Sequence, residues 1–333
     1  MHALVVTEPT TVELDVRPEP VVSDDEILLA PVAVGLCGTD LEIIDGTIDP
    51  AYVRYPLVLG HEWCGRITGP PGTPGLGRLA VVEGIVPCGR CAACREGATN
   101  VCATYDEFGF TRDGALAERV SAPASLVHPL DPTVRVEDAV LTEPAAVVWR
   151  ALRRANPVPG ARVLVVGDGT IGLLAAHLVQ MWSPSRVDLL GMRPAQKSLA
   201  ARAGATFLTE RPDDGTPGAY DLVVEAAGDP AAVATAFGSA RRGGTVMLLG
   251  LAGHGKTVAL AVDDVVNNDV SIVGSFSYTS SAWREVVNLL NSGRFRPGFL
   301  VTHRFALRDW SQAFSTLQSA SGERGKVVID VGS

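Results

Sequence analysis

Apolar positions follow two different patterns along the chain. Up to about Val148 they come in short alternating runs such as Glu26-Ile27-Leu28-Leu29-Ala30, broken by Gly and Pro and by Pro-Gly turns between Pro70 and Gly77. Period-two alternation with frequent turn residues predicts an irregular, largely β domain. After Pro159-Gly160, short β-branched runs alternate with segments of helical period. Arg162 to Val166, Arg186 to Leu190, Thr206 to Leu208, Asp221 to Ala226, Thr245 to Gly250 and Val270 to Phe276 are the expected strands. Between the first two, Ile171, Leu174, Ala175, Leu178 and Val179 recur at i, i+3, i+4, i+7 and i+8, one apolar face of a helix. Strand, helix, strand repeated in this way predicts an α/β fold with a doubly wound parallel sheet. Beyond Tyr278 the period is helical again, through Val286, Val287 and Leu290 and then Trp310, Ala313, Phe314 and Leu317, before a last strand at Lys326 to Val331. That tail is too short for a domain of its own and is expected to pack back on the first one. The expected limits are residues 1–147, 148–277 and 278–333.

Composition narrows the class. The chain has 333 residues, 47% of them hydrophobic, enough to bury a sizeable core, and a formal net charge of -9. Without a basic face a nucleic-acid partner is not expected. No run reaches the roughly 18 apolar residues of a membrane span, and Met1 to Glu8 lacks a charged segment followed by an apolar one. A soluble, cytoplasmic protein with no membrane partner is expected. The 25 Arg against 3 Lys are read as a compositional bias without functional meaning.

All cysteines lie between Cys37 and Cys102, which excludes disulfides spread through the fold. Cys88-Gly-Arg-Cys91-Ala-Ala-Cys94, followed by Cys102, places four thiols in a lobe at residues 87–103. Four thiolates can close a tetrahedral shell around a structural zinc. An iron–sulfur cluster is the competing metal reading, but there the next Cys follows after three residues and precedes Pro, whereas Cys102 follows after seven and precedes Ala103. Reduced structural thiols or a disulfide pair are the non-metal readings.

A second constellation joins Cys37, in Val34-Gly-Leu-Cys-Gly-Thr-Asp40, to His61-Glu62, in Leu59-Gly-His-Glu-Trp-Cys-Gly65. An open catalytic zinc site uses three such ligands plus water. Either motif alone is equally consistent with a small buried thiol or a hydrogen-bonded structural histidine. Glu143-Pro144 adds a carboxylate at a helix start, where the helix dipole alone would favour it. Cys64, Trp63 and Tyr55 lie near these motifs in sequence and either line the pocket or pack it, packing being favoured for Cys64.

Val163-Leu-Val-Val-Gly167-Asp-Gly169-Thr170-Ile171-Gly172 is G-x-G-x-x-G directly after an expected strand and opening a helix. In that context the glycines permit a tight turn and close backbone approach, and the helix N-terminus receives a pyrophosphate. The acidic residue that binds a ribose 2′-hydroxyl about 20 residues on is missing. Leu190 runs instead into Gly191-Met-Arg193, and Asp188 lies inside the strand. A small residue followed by Arg favours a 2′-phosphate, hence NADP over NAD. The alternative is that Arg193 is a solvated helix-start residue and either cofactor is taken.

Together these motifs resemble the zinc-dependent medium-chain alcohol dehydrogenases over essentially the whole chain, with Glu225-Ala-Ala-Gly228, Gly243-Gly-Thr-Val246 and Thr302-His-Arg-Phe305 adding to the match. The resemblance implies a GroES-like β domain, a Rossmann domain and an active site in the cleft between them. It assigns Cys37, His61 and Glu62 to a catalytic zinc, with Glu143, directly or through water, pointing to the polyol, sugar and threonine dehydrogenase branch. Glu42 stands where the alcohol and threonine enzymes commonly carry His, which lowers the threonine reading and resembles glucose dehydrogenases. Ile272 to Tyr278 resembles sorbitol-type enzymes, except that Ser277-Tyr278 replaces their Arg-Tyr pair, so those substrate contacts do not transfer. Phe108-Gly-Phe-Thr-Arg-Asp-Gly114 resembles dehydrogenases of aminocyclitols.

The implied reaction is hydride transfer between a nicotinamide and a secondary alcohol of a polyol, sugar or aminocyclitol. Thr39 would accept the alcohol proton and Glu42 pass it on, although Thr39 could merely bond its own turn and Glu42 be a surface carboxylate. The competing readings are a threonine-type amino-acid dehydrogenase and a non-catalytic nucleotide-binding protein that kept the fold. The resemblance also suggests a homodimer or homotetramer joined along the strand near Val270 to Phe276.

Overall fold

The computed structural model describes residues 1–210, 218–253, 255–319 and 321–332. The chain divides into two compact units, Met1–Glu143 with Thr279–Ser319 and Lys326–Ser333, and Pro144–Tyr278 with Ala320–Gly325. Among the described residues no helix is long and apolar enough to cross a membrane.

The first unit is built on antiparallel strands. Its main sheet runs Val127–Pro129, Leu79–Val82, Glu62–Gly69, Glu26–Gly35, Lys326–Asp330 and Val301–Ala306, with Val120–Pro123 also pairing Glu26–Gly35. Burial alternates along Glu26–Gly35, as expected of a sheet with one face on the core. Most of the C-terminal tail, though not Ala320–Gly325, groups with this unit: the helix Ser280–Asn291 buries Trp283, Val286, Val287 and Leu290, and the last strand pairs Val328 with Gly35. A smaller sheet sets His2–Glu8 between Thr11–Val16 and Leu57–Val58. The core cluster includes Trp63, whose ring meets Phe108 edge-on with centroids 6.5 Å apart.

The second unit holds a six-stranded sheet ordered Thr206–Leu208, Arg186–Leu190, Arg162–Val166, Tyr220–Glu225, Ala240–Leu248, Ser271–Gly274, with every pair parallel. Its inner strands are nearly continuous apolar runs because helices cover both faces of such a sheet. The first three strands have the expected limits. The fifth begins earlier, at Ala240, which pairs with Tyr220 before a bulge at Arg241 to Gly244, where Gly243 has a φ of 69°, and pairing resumes at Thr245 opposite Leu222. The sixth is shorter than expected, and Ser277 just beyond it has a φ of 52°.

Candidate metal centre and dinucleotide turn

Sheet register builds the metal group. Gly35 pairs with Glu62 and Val34 with Trp63, so the residues that leave the two strands, Cys37 and His61, are neighbours. The Cys37 thiol, the His61 ring and the Glu62 carboxylate offer ligand atoms within 4.8 Å of one another. Cys37 caps the helix Gly38–Asp45, and its backbone N–H donates to Asp40 Oδ2 at 2.8 Å. The other oxygen of the fully buried Asp40 stands 3.3 Å from His61 Nδ1. Burial opposes charge on His61, yet Asp40 and Cys37 together outweigh it and hold the pKa well above the usual histidine value. Asp40 faces the Nδ1 side of the ring without a hydrogen bond, and Nε2 lies 4.0 Å from Glu62 on the other side. Thr39 Oγ1 accepts from Cys37 Sγ at 3.6 Å. Glu42 lies partly exposed on the same helix and joins neither metal group.

Glu62 has a second partner that the sequence did not reveal. Lys326 Nζ lies 2.5 Å from Glu62 Oε2 and donates to Leu36 O at 3.0 Å, with both side chains buried. Burial works against its charge, but Glu62 and then Cys37 hold the ammonium protonated. The strand needs glycine at Gly35 because a Cβ there would sit 2.8 Å from Glu62 Oε2 and 3.1 Å from Lys326 Cδ.

The thiols of Cys88, Cys91, Cys94 and Cys102 also converge within 4.8 Å and form no disulfide. Cys91 and Cys102 Sγ are 3.9 Å apart, close to the roughly 3.8 Å edge of a tetrahedron whose sulfurs lie about 2.3 Å from zinc. The backbone N–H groups of Arg90 and Cys91 pull the Cys88 thiol down to about 6, while burial and the thiols of Cys91 and Cys102 push Cys94 up to about 12. Four converging thiols with no disulfide between them fit a divalent cation that takes thiolates. Cys64 is fully buried and its thiol is pushed up to about 12 by that burial. Trp63 is in the core and the Tyr55 hydroxyl donates to Ile43 O, so all three pack the fold.

In the second unit the glycine turn divides its labour. A Cβ on Gly167, whose φ is 118°, would meet the Ala227 nitrogen at 2.7 Å, and one on Gly172 would meet Gly167 O at 1.9 Å. Gly169 caps the helix Thr170–Leu178 and has nothing within 4 Å of its missing Cβ. The first and third glycines serve packing, and the second leaves open space for a phosphate to approach the backbone. Thr170 Oγ1 donates to Gly325 O and Ile171 follows on the helix. Arg193 is not solvated but paired: its Nε and Nη2 donate to Asp168 Oδ1 at 2.9 and 2.6 Å. Asp188 is spent inside the sheet, accepting from the Tyr220 hydroxyl at 2.7 Å and pairing with Arg186.

The alcohol dehydrogenase GroES-like domain family matches residues 23–132, and the glucose dehydrogenase C-terminus family matches residues 136–330, more than half the chain. The chain belongs to the zinc-dependent medium-chain dehydrogenases. The dehydrogenase is 29% identical to sorbitol dehydrogenase of Bacillus subtilis, covering 99% of this chain and 97% of that one. It is 31% identical to L-threonine 3-dehydrogenase of Streptomyces coelicolor, covering 94% of each. Among solved structures, a zinc-binding dehydrogenase from Sinorhizobium meliloti 1021 bound to NADP superposes with a TM-score of 0.92 at 25% identity, covering 99% of both chains. The dehydrogenase is an NAD(P)-dependent oxidoreductase of CH–OH groups, in the polyol branch of the family.

The surroundings of its metal group are acidic. Burial, then the charge of Glu62, raises the Glu143 carboxyl to about 8, and burial raises Glu107 to about 7 against the pull of His61. Glu143 therefore stands within electrostatic reach of Glu62 but outside the three-ligand group. Glu107 is held there by its loop: its carbonyl accepts from Phe110, Thr111 and Arg112, Gly109 lies against the His61 backbone, and the Phe110 and His61 rings are 5.0 Å apart. Sequence reading missed Asp40, Lys326 and Glu107. The signals available were an acid three residues after the capping Cys37, and a lysine heading the buried strand of Lys326–Asp330 in a chain with only three lysines.

Proposed function

We propose that this dehydrogenase oxidises a secondary alcohol of a polyol, sugar or aminocyclitol, with Cys37, His61 and Glu62 as ligands of a reactive zinc and Cys88, Cys91, Cys94 and Cys102 around a structural one. The observation that carries this is the convergence of the three ligands with Asp40 behind the imidazole and Lys326 behind the carboxylate. When bound, a zinc here supplies Lewis acidity that lowers the pKa of the hydroxyl it touches. Thr39 Oγ1 takes the alcohol proton as it gives up its own hydroxyl proton, which Glu42 on the same helix accepts. Glu143 completes the ligand set, directly or through water. Residues 1–147 with 278–333 form the catalytic domain, and residues 148–277 bind the dinucleotide through Gly167, Gly169, Thr170, Ile171, Gly172 and Gly191.

Glu62 and Glu107, with the Glu143 carboxyl raised by burial to about 8 and so protonated near neutral pH, offer a polyhydroxylated substrate both acceptors and a donor. NADP is the preferred cofactor because Gly191 and Arg193, in place of an acid, follow the strand Arg186–Leu190. The protein is cytoplasmic. It forms a homodimer or homotetramer along the edge strand Ser271–Gly274, where Ile272, Phe276, Val262 and Val266 are exposed.

The test is an initial-rate screen of linear polyols, aldoses, inositols, aminocyclitols and threonine with both nicotinamide cofactors. Turnover of a neutral or amine-bearing polyol well above threonine is expected. Threonine as the best substrate would overturn the polyol reading.

A further inference from the structure

Three features converge at the end of the second strand of the parallel sheet. First, the chain has no acid where the strand Arg186–Leu190 ends, and Asp188 is fully buried on Tyr220 and Arg186. Second, Asp168, the middle residue of Gly167-Asp168-Gly169, sends its carboxylate to that same place. A Cβ on Gly191 would lie 2.5 Å from Asp168 Oδ2 and 2.7 Å from Asp168 Cγ, so glycine at 191 makes the room. The backbone N–H of Arg193 donates to Asp168 Oδ2 at 2.9 Å. Third, the guanidinium is locked rather than solvated. Nε and Nη2 donate to the carboxylate, Nη2 also to Asp168 O at 2.9 Å, and Gln196 Nε2 ties Asp168 O to Arg324 O. Arg193 Nη1 is buried and has no hydrogen-bond partner.

We propose that Asp168 supplies the ribose-reading carboxylate missing from the strand end, and that the Asp168–Arg193 pair selects between the two nicotinamide cofactors. A ribose 2′-hydroxyl donates to a carboxylate, as the strand-end acid of other dinucleotide sites accepts it. A 2′-phosphate offers acceptors only, and so takes donors from Arg193, Nη1 among them, while being repelled by Asp168. The two residues oppose each other at one position, each restraining the other. Asp168 thereby narrows the preference for NADP and keeps NAD(H) as a ligand.

This rests on the dinucleotide reading of the turn, and binding measurements separate the two. Dissociation constants for NADH and NADPH are measured by fluorescence titration on the full-length protein and on Asp168→Asn, which keeps an acceptor for the Arg193 N–H. Loss of a hydrogen bond to a charged acceptor is expected to weaken NADH about tenfold. NADPH is expected to bind as well as before or more tightly. Arg193→Ala, which leaves the turn intact, should weaken NADPH about tenfold or more and spare NADH. An unchanged NADH-to-NADPH ratio in Asp168→Asn, or equal weakening of both, overturns the proposal. Should Asp168→Asn fail to fold, an unchanged ratio in Arg193→Ala overturns it alone. Failure of the wild-type protein to bind either cofactor contradicts the dinucleotide reading itself, whereas a wild-type preference for NADH contradicts only the NADP assignment.

Discussion

Lys326 and Glu62 are buried together, so removing either leaves the other charge without its counterpart. Breaking a buried pair costs about 3–5 kcal/mol. Lys326→Met should therefore lower the urea-unfolding free energy of zinc-depleted protein by about that amount, and adding Glu62→Gln should restore most of it. A loss under about 1 kcal/mol would show that the pair is solvated, as surface pairs are. Asp40 acts on the ring it faces, and such supporting carboxylates typically contribute 10–100-fold to metal affinity. Chelator competition should find Asp40→Asn weaker by about that factor, while unchanged zinc affinity would contradict the supporting role. Glu107 and Glu143 give a pH signature. Their carboxyls are raised to about 7 and about 8 in the fold, so folded protein holds protons that the unfolded chain releases near pH 4.3. The stability of metal-free protein from these groups is present below that pH and is lost as pH rises to about 8. Urea midpoints taken from pH 5 upward should fall, and less steeply in Glu107→Gln with Glu143→Gln; an unchanged slope would refute the burial assigned to both. At this scale the sequence was most legible for ligands, because Cys and His are rare and their spacing is characteristic. Asp40, Lys326 and Glu107 act through neighbours distant in sequence, and only strand register brings those neighbours together.

Elements were legible where one local rule decided them. The strand Arg162–Val166 and the helix Thr170–Leu178 follow from an apolar run, three glycines and helical period; the strand stands at the expected limits, and the helix carries the expected face up to Leu178, one residue short of Val179. The strand from Ala240 was misjudged at its start because Arg241 to Gly244 carry no apolar signal and form a bulge that only the Tyr220–Ala240 pairing ties to the sheet. The glycine turn makes paired predictions. Gly172→Ala would place a Cβ 1.9 Å from Gly167 O, and overpacking of this kind costs about 1–3 kcal/mol or more. Gly169→Ala meets nothing within 4 Å, so its stability should stay within about 0.5 kcal/mol while NADPH binding is lost to the methyl group. Thermal unfolding and cofactor titration of both variants check this, and normal NADPH binding by Gly169→Ala would remove the phosphate from that space.

Across the whole molecule the chemistry divides by unit: the metal groups belong wholly to the first and the glycine turn to the second. The return of most of the tail to the first unit was legible because the tail is too short to bury a core by itself. Self-association along the strand near Val270 to Phe276 was expected only by resemblance, since the exposed edge around Ile272 and Val266 becomes visible once the strands are ordered. If that edge pairs with a second copy, Val266→Asp should shift the mass seen by light scattering toward monomer, and an unchanged mass would place the contact elsewhere. The most direct measurement is zinc content per chain in Cys37→Ser beside wild type, by atomic emission on folded protein. About two zinc ions in wild type and about one in Cys37→Ser are expected, since a reactive site has three protein ligands and a structural one four. Two zinc ions retained in Cys37→Ser, with the lobe thiols intact, would contradict the assignment of the reactive metal to Cys37, His61 and Glu62.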